Sequence, residues 1–445
     1  MNSKFPHTLL IIVCFILMAG AATYFIPKGA YERTNDPSTD REVVVPGSYH
    51  IIEANPLSPF EILVGIPRGI VKAGEIIVLI LLVGASFYVV EKTGALKAGV
   101  VYMTSRLKGR EELALVVTGL FFLIGGALEG MEEEVIPLIP VMVLLTRRMG
   151  YDVMVMVCIS YGSAVLGASF SPINPFGAIT AQKVAEVPFL TGAGFQVGIM
   201  AMAFVLWMTM VIRYGRRNRL EKKEDENDVS EALTKRTKLI LVIVGGAFLM
   251  LIYGLLSLGW GFNEMSAEFF LVGMTVGVIG RLGVNGTCVT YVEGLREMTY
   301  AALIVGFAHG ISLVMIDGNI LDTIIYSLFI PMESLPPAVS LIGMMGAQSI
   351  LHVVIPSYAG QAALTMPILA PLSDLIGLSR QVCVMAFQYG AILVNLISPT
   401  NGALMAILAL SGIAYDRWFL FVAKRLLAVM GFGAAALLMA NVLAI

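Results

Sequence analysis

The sequence predicts an all-α polytopic membrane protein built as two inverted repeats, each with a re-entrant hairpin and a broken helix, and with roughly ten or eleven spans at about twenty residues each. Three observations carry that reading. Hydrophobic residues make up 58% of the 445-residue chain and charged residues only 13%, against about a quarter charged in soluble domains. One four-residue break is written twice, as Ser171-Pro172-Ile173-Asn174 and Ser398-Pro399-Thr400-Asn401. Each copy lies in a stretch without acid, base or histidine, Val153 to Gln182 and Gln381 to Tyr415. Finally, basic residues concentrate in one central segment, so the chain has an electrostatic inside and outside.

The chain opens with Lys4 before an apolar run that reaches Ile26. That run is too long for the h-region of a cleaved leader and reads as a retained first span, Thr8 to Pro27. Lys28 to Pro59 holds Lys28, Arg33 and Arg41 against five acids, the balance of an external loop. Within it, Tyr31-Glu32-Arg33 and Glu42-Val43-Val44-Val45 flank Asp36-Pro37, the pattern of a small hairpin cap without chemistry of its own. Nine basic residues between Arg213 and Lys238, around an acidic middle from Glu221 to Glu231, mark a cytoplasmic linker. The organisation is therefore 1–212 as the first half with its external loop 28–59, 213–238 as the linker, and 239–445 as the second, inverted half. Leu239 to Asn263 and Leu426 to Ile445 each supply a span. Ser334 to Ser373 runs forty residues without Asp, Glu, Lys or Arg and contains Pro356, Gly360, Pro367 and Pro371, the length of a re-entrant hairpin plus a span. Cys14, Cys158, Cys288 and Cys383 have no paired spacing, which supports neither disulfides nor zinc.

A single offset of 227 relates Pro140 to Pro367, Gly150 to Gly377, Ser171 to Ser398 and Asn174 to Asn401. Tyr161-Gly162 precedes the first break and Tyr389-Gly390 the second, and Val135-Ile136-Pro137 echoes Val354-Ile355-Pro356. The turn before the first break holds Arg147 and Arg148, whereas the turn before the second holds Asp374 and a single Arg380. Equivalent turns thus lie inside and outside, which inverts the repeat and sets the broken helices face to face near the midplane. Proline removes a backbone donor, and carbonyls freed in hydrocarbon need partners, so such breaks persist where they line a polar cavity. Paired broken helices are the sequence sign of a secondary transporter's binding site.

Four segments carry candidate chemistry: the first hairpin tip, residues 125–134, the first break, 169–177, the second tip, 355–361, and the second break, 398–402. Each break offers a helix amino end suited to a carboxylate and a carboxyl end suited to a cation. Asn174, Asn401, Ser171, Ser398, Thr400, Ser357 and Gln361 are the candidate substrate-binding residues, with amides and hydroxyls to offer. The substrate carboxylate is expected between Asn174 and Asn401. The same groups can also cap the helix ends, with or without ligand. Glu129, Glu132, Asp317 and Ser398 are the candidate coupling-ion residues for Na+ or H+, with Glu129 foremost. Glu132 to Glu134 can equally be a solvated turn, and Asp317 and Asp322 around Gly318-Asn319 can mark a further break or a plain turn. His309 and His352 could shuttle protons, but lone histidines on apolar segments read first as hydrogen-bonded packing groups. Neither a catalytic residue, a cofactor beyond the coupling ion, nor a nucleic-acid partner is expected.

Glu53-Ala54-Asn55-Pro56 with Ser58-Pro59-Phe60, then Ser171-Pro172-Ile173-Asn174-Pro175-Phe176, Gln361-Ala362-Ala363-Leu364-Thr365-Met366-Pro367 and Ser398-Pro399-Thr400 resemble the YfcC-type members of the C4-dicarboxylate anaerobic carrier family, within the ion transporter superfamily. The resemblance runs from Val45 to Trp418. It implies inverted repeats, re-entrant hairpins, a homodimer and elevator-type movement of a domain that carries both tips. Similar chains are assigned to dicarboxylates or to arginine and ornithine exchange. Gly390-Ala391-Ile392-Leu393-Val394-Asn395 departs from the acidic Gly-Asp-Gly stretch that the resemblance implies before the second break.

The expected function is secondary active transport of a small carboxylate-bearing metabolite, a C4-dicarboxylate or an amino acid, across the bacterial inner membrane, coupled to Na+ or H+ or run as exchange. An arginine/ornithine-type antiporter is the alternative within that class. A membrane-embedded hydrolase is the alternative outside it, but His309, His352 and Glu129 match no zinc signature. A channel fits two inverted breaks less well than alternating access does.

Overall fold

In a computed structural model of the protein, the described residues are 8–36, 41–96, 98–99, 102, 110–220, 233–258 and 260–445. Most of the linker and the turn of the external hairpin, 37–40, lie outside them. Among the described residues, eight helices are long and apolar enough to cross a membrane. The strands described are four short ones, all in the loop 28–59.

Two bodies make up the chain, and they do not coincide with its two halves. The scaffold takes α1 (Thr8–Phe25), α2 (Pro59–Lys72) and α3 (Gly74–Lys92) from the first half. From the second it takes α10 (Lys235–Tyr253), α11 (Phe262–Ile279) and α12 (Gly283–Asp317). Entry into α2 is fixed by a capping box, in which Ser58 Oγ accepts from Glu61 N–H and the Glu61 carboxylate accepts from Ser58 N–H. Phe87 of α3 meets Phe248 of α10 and Phe269 of α11 at ring distances of 6.0 and 5.7 Å, so aromatic packing joins the halves.

The second body contains both copies of the repeat. Copy one runs α4 (Glu111–Glu129), a 3₁₀ turn (Glu133–Leu138), α5 (Ile139–Arg148), α6 (Val153–Val157), a π turn (Cys158–Gly162), α7 (Ser163–Phe170), the break, a second π turn (Pro175–Ile179), α8 (Thr180–Val184) and α9 (Ala193–Arg217). Copy two runs α14 (Pro337–Val354), α15 (Tyr358–Leu375), α16 (Arg380–Ala391), a 3₁₀ turn (Leu393–Leu396), the break, α17 (Gly402–Ser411) and α18 (Tyr415–Val442). The 227 offset recurs in the backbone. Gly150 and Gly377 take left-handed φ of 79° and 75°, and Asp152 and Ser379 cap the helices that follow.

These equivalent turns sit at opposite ends of the molecule. Asp152 meets Tyr214 and Arg417, and the Gly150 carbonyl accepts from Leu220 N–H, at the carboxyl end of α9. Arg380 instead bonds the Ala185 carbonyl and Glu186, just before the amino end of α9. A helix of 25 residues, about 37 Å long, separates the two places, which is the inversion that the charge pattern predicts. The carboxyl-terminal Ile445 lies at the Arg380 end, where its carbonyl accepts from Ser379 Oγ.

Within each copy, the first arm of the hairpin lies almost backbone to backbone on the broken helix. A Cβ at Gly167 would fall 2.0 Å from the Leu123 carbonyl oxygen, and one at Gly390 2.2 Å from that of Met345. Small residues permit this approach, which lipid alone would not drive. An 18-residue apolar window within Val153–Val184 is fully buried, against 33%, 39% and 33% for the windows of α4, α9 and α18. An uncharged helix apolar on all sides belongs inside protein, and the half-covered helices face lipid.

The loop 28–59 pairs β1 (Gly29–Ala30) with β4 (His50–Ile51) and β2 (Arg33–Asp36) with β3 (Arg41–Val44). It is anchored to α13 (Leu321–Phe329). Arg33 Nη2 donates to both Asp322 oxygens at 2.8 and 2.9 Å, and Tyr31 N–H adds a third bond at 3.0 Å. Tyr49 stacks on Tyr326 at 4.0 Å. Between Asp317 and Asp322 the chain makes a plain turn, with Asn319 at φ 53°.

Candidate functional site

Helix α4 closes on Gly130, left-handed at φ 66°, whose N–H returns to the Gly126 carbonyl at 3.0 Å. That turn aims Glu132 into the protein, where it is 3% exposed. The solvated-turn reading therefore does not hold for Glu132. Its carboxylate accepts from Asn395 Nδ2 at 3.1 Å on both oxygens, from Asn401 Nδ2 at 3.0 Å, from Tyr161 O–H at 3.4 Å and from Tyr358 O–H. These donors come from the second copy's 3₁₀ turn, second break and hairpin tip, and from the first copy's π turn. All of them are neutral, and among the described residues no basic side chain pairs with Glu132. A buried carboxylate without a counter-ion is costly unless its oxygens are hydrogen-bonded, and here both are.

The two break asparagines share one task and differ in another. Asn174 Oδ1 accepts from Phe176 and Gly177 N–H at 2.9 and 2.8 Å, and Asn401 Oδ1 accepts from Leu404 N–H at 2.7 Å. Both therefore cap the helix after the break. The remaining amide of Asn174 donates to the Gly126 carbonyl at 3.2 Å. The corresponding amide of Asn401 donates to Glu132. The sequence reading sets a substrate carboxylate between the two asparagines, but the carboxylate at Asn401 is the protein's own Glu132, and Asn174 does not line the cavity.

The hydroxyls bind each break to its hairpin. Ser171 Oγ donates to the Ala127 carbonyl at 2.7 Å, while Ser398 and Thr400 share a 2.7 Å bond and Thr400 donates to the Val353 carbonyl at 2.7 Å. Gln361 lies inside the second hairpin, with its oxygen 2.6 Å from His352 Nδ1 and its amide 2.9 Å from the Gln348 carbonyl. Ser357 caps α15 through Gly360 N–H and faces the cavity. Asp317 stands apart at the end of α12, paired with Arg68. Glu129 ends α4, and its side chain lies outside the described residues.

A cavity of about 340 Å³ opens between the two hairpin tips and the second break, within the range of small-molecule sites. Among the described residues its charged lining is Glu132, Glu133 and Glu134, with no Lys, Arg or His. Tyr358, Asn395 and Asn401 supply neutral polar groups. Among the described residues, no cluster of His, Cys, Asp and Glu could hold a metal ion. Sequence reasoning missed Tyr161, Tyr358 and Asn395. The signal for Tyr161 was its repeated Tyr-Gly pair. Asn395 stands in the stretch that lacks the expected acid, and the acid at that point of the structure comes from the first hairpin, as Glu132.

Inverted hairpins, buried broken helices and a polar cavity between them define a polytopic membrane transporter. The sequence profile described as "DcuC: C4-dicarboxylate anaerobic carrier" matches residues 5–442. The chain belongs to the C4-dicarboxylate anaerobic carrier family, a family of carriers and not of enzymes. It is 30% identical over 464 residues to "Putative basic amino acid antiporter YfcC" of Escherichia coli (strain K12), covering 93% of this chain and 92% of that one. It is 27% identical over 481 residues to an "Uncharacterized protein" of Haemophilus influenzae (strain ATCC 51907 / DSM 11121 / KW20 / Rd), covering 94% and 93%. Among solved structures, Neisseria gonorrhoeae MtrF aligns with a TM-score of 0.42 at 17% identity over 97% of this chain and 95% of that one. Alcanivorax borkumensis YdaH aligns with a TM-score of 0.44 at 14% identity over 97% and 98%.

Proposed function

We propose that this transporter carries an amino acid bearing positive charge, with its amino group among Glu132, Glu133 and Glu134. The observation that carries this reading is a cavity with three carboxylates and no base. An ammonium donates three hydrogen bonds, which these carboxylates can accept. A dicarboxylate entering the same cavity would meet like charge from the first hairpin tip, so it would need accompanying cations. The carboxylate of the amino acid suits the amino end of α15, an 18-residue helix that opens on the cavity at Ser357 and Tyr358. The name of the Escherichia coli relative agrees with such a cargo.

Glu132, held only by neutral donors, can take a proton, Na+ or the cargo's ammonium in turn, which gives exchange or cation coupling from one group. The repeat-bearing body would move against the scaffold in an elevator-type cycle, within a homodimer in the bacterial inner membrane. Counterflow uptake into proteoliposomes tests the cargo. Arginine, ornithine or lysine should exchange saturably against one another, with fumarate and succinate as weak competitors. Saturable dicarboxylate uptake that basic amino acids leave unchanged would overturn the reading.

A further inference from the structure

A second cavity, of about 430 Å³, lies far from Glu132, between α9 and α18. Arg213, Arg217, Lys424 and Arg425 line it, together with Tyr214 and Met210. Among the described residues, Arg213, Arg217 and Lys424 have no acidic partner. The acids at this end are engaged elsewhere, Glu112 by Arg216 at 2.6 Å and Asp152 by Arg417 at 3.3 Å. Arg425 is held in place by stacking, with its guanidinium 3.7 Å over the Phe421 ring and 5.2 Å over that of Tyr214. Its Nε is buried and has no partner. Four cations held together without an acid among the described residues invite an anion, and an orphaned buried donor is a second mark of an unmet acceptor.

We infer that this cavity binds the phosphate of an anionic phospholipid headgroup. Lipid is the occupant because the cavity opens between two long helices that protein leaves largely uncovered, 39% and 33% buried. It also lies at the end of α9 that runs into the basic linker, the side on which basic residues meet anionic lipid. A second copy of the chain is a poor occupant, since this patch would face its own charge across a two-fold axis.

The test uses the full-length protein in mild detergent and intact-complex mass spectrometry with phosphatidylglycerol, phosphatidylcholine and inorganic phosphate as probes. Wild type should retain phosphatidylglycerol over phosphatidylcholine. The triple variant R213Q/R217Q/K424Q should lose affinity about five-fold per charge, on the order of a hundred-fold in all, whereas R213K/R217K should keep most of it. Equal retention of the two lipids by wild type overturns the inference without recourse to any variant. So does binding of inorganic phosphate with no lipid preference, or loss of a dimer in the triple variant with lipid retention unchanged.

Discussion

Glu132→Gln preserves the shape of the central side chain and replaces one acceptor oxygen by an NH2 group. Donors converge on both oxygens, Asn395 and Tyr358 on one and Asn395, Asn401 and Tyr161 on the other. Turned the less costly way, its NH2 faces Asn395 and Tyr358 and two hydrogen bonds to a charged acceptor are lost, about 3–6 kcal/mol at about 1.5–3 kcal/mol each. Against this, the protein no longer buries a carboxylate without a counter-ion, a penalty of several kcal/mol. The two contributions nearly cancel, so the ligand-free melting temperature should move by about 5 °C or less. Cargo binding has no such offset. One charge-assisted bond to an ammonium is lost, about 1.5–3 kcal/mol, or roughly ten-fold to more than a hundred-fold in affinity. The assay is arginine counterflow in proteoliposomes, with the ligand-induced shift in melting temperature measured beside the ligand-free value. Unchanged affinity with a large fall in ligand-free stability would make Glu132 a structural group and refute the reasoning.

Asn174→Ala and Asn401→Ala should separate. Both lose a helix cap worth about 1 kcal/mol, but only Asn401→Ala also loses a bond to Glu132, so only it should weaken cargo affinity, read from the same pair of melting curves. Asp322→Ala removes the partner of Arg33 and Tyr31 at a site 5% exposed and should cost about 3 kcal/mol or more. Asp317→Ala, whose partner Arg68 is 53% exposed, should cost about 1 kcal/mol or less, and equal losses in denaturation would contradict this. Gly167→Ala puts a Cβ against the Leu123 carbonyl and should sharply lower the yield of folded protein, whereas Gly245→Ala, which meets nothing within 4 Å, should be tolerated. Single cysteines at His50, Asn218 and Ile445 in a cysteine-free background should label from outside, inside and outside, and inside labelling at Ile445 would refute the inversion.

Composition alone determined that the chain is a membrane protein, because so few charges cannot cover a water-exposed surface. The written-twice break and the 227 offset determined the repeat, and the imbalance between Arg147-Arg148 and Asp374-Arg380 determined its inversion. Those signals are local, set by proline geometry and by where charge can cross a membrane, and so they survive in one dimension. The partner of Asn401 was not legible, because Glu132 lies 269 residues away and nothing in either segment names the other. Nor was the difference between Asn174 and Asn401, since two identical residues with identical caps diverge only through what lies opposite their free amides. Only the packing of the hairpin tips decided that Glu132 is buried, that Asp317 stands apart with Arg68, and that helices of both halves share one scaffold. Depth and long-range contact are properties of the whole packing, and a carboxylate takes its chemistry from the groups that surround it rather than from its neighbours in sequence.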